Sequence, residues 1–262
     1  MHPISLASGV VPECDPLATV EAARAGGFDA VGLWIEPVRW DARLMHETRL
    51  RLGDSGLALL DVEVVWLKPG PPDPDHFRCI DIGAGLGAKN VLVVSSDPDA
   101  GATTAKLAAL CEHAAPCGMR VALEFGLFTD VKTIGQARRI VEAVAHPAIA
   151  LLVDPLHLAR SGGSPAEVAK LPRGLLPYAQ FCDAPAAGPR TDDSAGIIEE
   201  AVDGRLQTGA GALPLLELLH ALPPDIPLGI ELRSKALREA HPDPRERAAV
   251  TAQATRAFLA RR

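Results

Sequence analysis

Short apolar runs rich in β-branched residues alternate along the chain with longer stretches whose apolar residues recur at helical spacing. The runs fall at residues 3–7, 30–34, 57–67, 90–95, 120–125, 149–154, 178–182 and 228–232. The helical stretches lie between and after them, at 17–26, 42–55, 74–87, 101–117, 133–145, 165–171, 213–222 and 243–260. Asp15-Pro16 opens the first helix and Gly26-Gly27 closes it, while Asp243-Pro244 opens the last; these are ordinary start and stop signals. Strands that are apolar on both faces and alternate with helices indicate a parallel sheet, and eight of them close a (β/α)8 TIM barrel. A doubly wound open sheet is the alternative. No composition break marks a linker, so residues 1–262 are expected to form a single domain. The polar, Gly- and Pro-punctuated stretch at about 184–212 reads as a long βα loop after the seventh strand, with a short helix at 194–202, lying over the active site.

Composition narrows the function. With 48% apolar residues the chain can bury a large core, yet it has no apolar stretch of membrane-spanning length and no leader pattern. The net charge is −7 and the basic residues are scattered, which argues against nucleic acid as a partner. Cys14, Cys79, Cys111, Cys117 and Cys182 are odd in number and form no C-x-x-C pair. They read as reduced thiols of a cytoplasmic protein.

Two glycine strings suggest nucleotide or anion binding. GAGLGA at 83–88 precedes a strand rather than following one, so it cannot serve as a dinucleotide fingerprint and is read as packing and capping. GAGAL at 209–213 opens a helix and is read as a flexible turn, with anion binding as the alternative.

The chemistry lies at the ends of strands five to eight. Glu124 lies in ALEF, Asp154 and His157 lie in VDPLH, Gln180 sits inside AQFCD, and Glu231 lies between Ile230 and Leu232. An amide or a carboxylate inside an apolar strand must find partners, and buried carboxylates are normally paired or metal-bound. Taken singly each group is an ordinary cap or strand terminus; together, at one depth, they indicate a shared site. Three carboxylates and an amide oxygen are hard donors, so the expected cofactor is one Mn²⁺ or Mg²⁺ rather than zinc.

With these residues in place the chain resembles the xylose isomerase-like barrels, a superfamily of sugar and sugar-phosphate isomerases and epimerases that also includes hydroxypyruvate isomerase and 3-dehydroshikimate dehydratases. The resemblance runs from AARAGGFDAVGLW to ELRS and is carried by Glu124, Asp154, His157, Gln180, Arg205 before GAGALPL, and Glu231. It implies metal ligation by Glu124, Asp154, Gln180 and Glu231. Epimerase members commonly carry histidine where this chain has Gln180; glutamine there looks more like hydroxypyruvate isomerase and the dehydratases. An acidic turn of many relatives is here Thr208-Gly209-Ala210-Gly211, which puts substrate handling in the long loop in question.

The chemistry this set supports is proton transfer beside a carbonyl, with a divalent ion stabilising an enediolate. Glu124 and Glu231 are the candidate acid–base pair and His157 a further catalytic or substrate-binding group. Lys68, Trp66 and Arg205 are the other substrate-binding candidates, Trp34 and Glu36 also end strands near the mouth, and Arg233 is expected in an exposed salt bridge. The expected function is an isomerase or epimerase of a small polyhydroxylated carbonyl compound. A dehydratase of a cyclic keto-hydroxy acid such as 3-dehydroshikimate, and a non-catalytic sugar-binding barrel, are the alternatives. The expected partner is a small molecule, with no membrane and with a homodimer through outer helices open.

Overall fold

A computed structural model describes residues 2–261. Eight parallel strands form one sheet: β1 (Ile4–Leu6), β2 (Ala30–Trp34), β3 (Ala58–Leu67), β4 (Asn90–Ser95), β5 (Arg120–Glu124), β6 (Ile149–Leu152), β7 (Ala179–Phe181) and β8 (Leu228–Ile230). Their order, β6-β5-β4-β3-β2-β1-β8-β7, bends round so that β6 and β7 meet. The seam is spanned by the Gln180 amide donating to the Val153 carbonyl at 3.0 Å. The fold is therefore the expected (β/α)8 barrel. The backbone bond that joins its edges also sets Gln180 beside Asp154.

Strand alternation divides the apolar residues into two layers. Val121 and Leu123 of β5 and Val91 and Val93 of β4 point outward into the main core beneath the helices. Ala122, Leu92 and Val94 point inward, with Leu60, Ala150, Leu152 and Tyr178, and fill the barrel interior. β3 departs from strict alternation: its register shifts against both β2 and β4. Such irregularities aim additional side chains at one face, and here both Asp61 and Glu63 are buried. The inward carboxylate of Asp61 needs the space left by Gly32 on the neighbouring strand, where a Cβ would collide with it.

The helices are α1 (Pro16–Ala25), α2 (Ala42–Ser55), α3 (Pro74–Leu86), α4 (Ala100–Ala114), α5 (Ile134–Val144), α6 (Pro155–Arg160), α7 (Pro165–Val168), α8 (Ser194–Asp203), α9 (Leu215–Ala221), α10 (Lys235–Ala240) and α11 (Pro244–Leu259). Aspartates 15, 41, 73 and 99 cap α1 to α4. Two expectations shrink: 101–117 ends as a 3-10 turn at Ala115–Cys117, and 165–171 keeps only α7 as helix. Two helices are additional. The stretch after β6 is not a loop, because Asp154 with Pro155 behind it caps α6. α10 is capped in the same way by Ser234. The 83–88 glycines lie at the end of α3, where Gly83 packs against Val62 and Gly87 adopts φ 89° as the C-cap.

Candidate metal centre and active site

The floor of the site is a buried acidic cluster at the C-terminal ends of β5 to β8. Glu124, Asp154, Gln180 and Glu231 are all 5% exposed or less. Potential ligand atoms of Glu124, Asp154 and His157 lie within 4.8 Å of one another. Burial first, and then the Asp154 charge, hold the Glu124 carboxyl well above the usual carboxylate range. Burial opposes the Asp154 charge too, but the Arg205 guanidinium beside it keeps that carboxyl below its ordinary value.

Arg205 ties the cluster together. Nη1 donates to Asp154 Oδ2 at 2.5 Å and to Cys182 Sγ at 3.1 Å, Nη2 lies 3.2 Å from His157 Nε2, and Nε donates to the Ala201 carbonyl at 2.9 Å. A guanidinium has no acceptor, so His157 Nε2 must accept and the ring proton sits on Nδ1. Burial, opposed by the Asp154 charge, brings the His157 pKa down to about 4, so the ring is neutral at ordinary pH. The Asp154 carboxylate also accepts the Leu156 and His157 amides at 2.7 and 3.1 Å. The helix cap and the candidate ligand are therefore one side chain.

Glu231 lies in the same cavity but outside the tight group formed by Glu124, Asp154 and His157. Arg233 Nε donates to its Oε1 at 2.7 Å, whereas its buried Oε2 has no hydrogen-bond partner. Arg233, expected in an exposed salt bridge, is instead mostly buried, and its guanidinium stands 5.9 Å from the centroid of the Trp34 ring. It follows the strand so closely that Glu231 draws it into the mouth. Gly9 backs this pair, and a Cβ there would strike Glu231 Oε1.

Two observations test whether these residues fit a cation. The amide oxygen of Gln180 faces only acceptors, the carboxylate oxygens of Asp154 and Glu124. Turning the amide would set its nitrogen 3.1 Å from Asp154 Oδ2 and 2.5 Å from Glu124 Oε1. Turned, the amide bonds both carboxylates; unturned, its oxygen and theirs can share a cation, and the orphaned Oε2 of Glu231 needs a partner from the same space. The donor set therefore fits a divalent ion. Because Arg205 occupies His157 Nε2, Gln180 is the better fourth donor.

Sequence reasoning missed a second polar group in the barrel. Ser8 Oγ donates to Glu63 Oε1 at 2.5 Å, and Tyr178 Oη donates to Asp61 Oδ2 at 3.0 Å. Burial, followed by the Glu231 charge, raises the Glu63 pKa to about 7. Glu63 lines the cavity that holds Glu124, Gln180 and Glu231. The signal was in the sequence, since Asp61 and Glu63 are charges two residues apart inside a strand.

The remaining candidates fall on both sides of the cavity wall. Trp66 lines it, with its indole N–H donating to Ser96 Oγ at 2.8 Å and its ring edge-on to Phe128. Phe128 in turn packs on His157, at 4.8 Å between ring centroids. Lys68 does not reach the cavity: its side chain is exposed, and only its carbonyl is engaged, by Lys106. Glu36 pairs with Arg39 outside it. The glycine turn at 209–211 does bind an anion, but an internal one. The amides of Gly209, Gly211 and Leu213 donate to the Asp183 carboxylate at 2.9 to 3.1 Å. All five cysteines are free thiols.

A parallel barrel with a cluster of acids at the C-terminal ends of its strands is the architecture of a barrel enzyme site. Residues 20–259 match the family described as the xylose isomerase-like TIM barrel, and the chain belongs to that family. A 3-dehydroshikimate dehydratase of Pseudomonas putida is 28% identical over 193 residues, which is 68% of this chain but 29% of that protein. A solved fusion of a xylose isomerase-like TIM barrel with a 4-hydroxyphenylpyruvate dioxygenase superposes with a TM-score of 0.80 at 23% identity, over 97% of this chain and 42% of that one. The chain thus spans well under half the length of both. The IOLI protein, solved with a zinc atom bound, superposes with a TM-score of 0.83 at 16% identity, over 99% and 98% of the two chains. No helix among the described residues is long and apolar enough to cross a membrane.

Proposed function

We propose that the protein is a divalent-metal-dependent isomerase or epimerase acting on a small hydroxylated carbonyl compound. The observation that carries this reading is the convergence of buried oxygens of Glu124, Asp154, Gln180 and Glu231 on one space, with Glu231 Oε2 left without a partner. A hard ion, Mn²⁺ or Mg²⁺, suits that set and when bound would polarise the carbonyl and hydroxyl oxygens of the substrate. The protein's own groups supply the rest. Glu124 and Glu231 flank the cavity as the pair that removes and returns a proton. Neutral His157, fixed by Arg205 and Phe128, donates through Nδ1–H or orients a substrate oxygen. Trp66 and Phe128 keep water from one side.

A lyase reading has its own support. The Pseudomonas relative is named as a dehydratase, and Glu63 is a buried acid in the cavity wall, protonated near neutrality, that can give a proton to a departing hydroxyl. Incubating the Mn²⁺-loaded protein with hydroxy ketones and with 3-dehydroshikimate in D₂O separates the outcomes by NMR and absorbance. Deuterium at the carbon beside the carbonyl, with an isomeric product, supports the first reading. A conjugated, ultraviolet-absorbing product supports the second. Ligand binding without exchange or conversion, indifferent to Glu124→Gln and Glu231→Gln, would leave a sugar-binding barrel.

A further inference from the structure

The outer part of the cavity is built for something other than hydroxyl groups. Among the described residues seven large apolar side chains stand exposed, and four of them, Trp34, Trp66, Ile198 and Val202, ring this one cavity at 38 to 52% exposure. Ile198 and Val202 are four residues apart and share a face of α8. That helix is not loosely laid over the mouth. Glu200 accepts two bonds from Arg160 at 2.8 and 2.7 Å, and Asp203 pairs with Arg238. The apolar face is therefore held in place across from the two tryptophans.

The charges point the same way. The cationic side chains that face the carboxylates of Glu124, Asp154 and Glu231 in this cavity are Arg205 and Arg233. Both guanidiniums are already committed, Arg205 to Asp154 and Arg233 to Glu231. Lys106, on the far side of Lys68, is bound to Asp97. Among the described residues that line the cavity no cationic side chain stands without a carboxylate partner, so a phosphate dianion would have to compete with Asp154 and Glu231 for the same guanidiniums.

We propose that the substrate carries an apolar ring beside its hydroxy-carbonyl unit, seated between Trp34, Trp66, Ile198 and Val202, and carries no phosphate. This rests on the metal-centred reading given above. The cavity of about 380 Å³ is within the range that holds a ligand of that size. The polar end lies on the carboxylates, and the ring fills the apolar mouth.

Three ligands that share one α-hydroxy ketone unit test this by calorimetry on the Mn²⁺-loaded protein: 2-hydroxyacetophenone, hydroxyacetone and dihydroxyacetone phosphate. The phenyl ketone should bind at least about tenfold more tightly than hydroxyacetone, by the burial of one ring, and the phosphate should bring no gain. Ile198→Ser with Val202→Ser, both at exposed positions, should remove most of the phenyl advantage and leave hydroxyacetone unchanged. Equal affinity for phenyl and methyl ketones, or preference for the phosphate, would overturn the proposal. A dimer in sedimentation that the double variant dissociates would also overturn it, assigning the rim to a second copy of the chain. The metal reading is scored separately: if EDTA leaves hydroxyacetone binding unchanged that reading fails, while the phenyl-to-methyl ratio still decides the ring. No binding of any of the three ligands overturns both.

Discussion

The two halves of the barrel rim carry different chemistry. Strands β5 to β8 end in Glu124, Asp154, Gln180 and Glu231, whereas β2 to β4 contribute Trp34, Trp66, Leu92 and Val94 to the same cavity. One half is an acidic floor that costs free energy to bury unless it is paired. The other is an apolar wall that costs little to expose in part. On the proposed reading, the difference separates ion binding from substrate shape within a single scaffold. It also shows where stability is given up, since the carboxylates raise one another's proton affinity.

The acidic half is easiest to break at its most deeply buried counter-charge. Arg205→Met leaves Asp154 buried and unpaired, and the metal-free protein should lose about 3–5 kcal/mol in chemical denaturation. Mn²⁺ should restore part of that loss, because the ion supplies the missing positive charge. Next in size, Glu124→Gln should weaken Mn²⁺ binding about 100-fold, equivalent to roughly 2.7 kcal/mol. Equilibrium dialysis reads it directly, and Trp66→Phe on the opposite wall should leave that value unchanged.

Glu63 belongs to the wall by position and to the floor by chemistry, and pH separates the two. Its pKa is raised from 4.5 to about 7 in the folded protein. The folded state therefore binds the extra proton, and stability falls as pH rises from about 4.5 to 7. In EDTA, Glu63→Gln should be worth little at pH 5 and stabilise by on the order of 1–3 kcal/mol at pH 8. A gain independent of pH would remove Glu63 from the acidic group. Smallest of all, Trp66→Phe loses the bond to Ser96 and should cost about 0.5–1.5 kcal/mol by thermal unfolding.

The same contrast explains what the sequence reveals. Strand–helix alternation makes the barrel legible, because its apolar runs are short and separated by capping signals. The floor is legible because Gln180 and Glu231 interrupt apolar strands, where a polar group needs a reason. The wall is not. Leu92 and Val94 look like any core residue, and Ile198 and Val202 resemble one side of an ordinary helix. Arg205 and Arg233 were legible as residues but not as partners, since Arg205 is 51 positions from Asp154 and meets it only when the chain folds. Lys68 follows a strand that ends in the site, but its side chain is exposed and outside the cavity lining.

The central claim is that the floor is a hard-cation site, and Mn²⁺ electron paramagnetic resonance tests it most directly. Titrating the EDTA-stripped, dialysed protein into Mn²⁺ should abolish the free-ion signal at one equivalent per chain. Glu124→Gln and Glu231→Gln should leave most of that signal in place. A free-ion signal unchanged by the wild-type protein, or one quenched equally by both variants, would contradict the account.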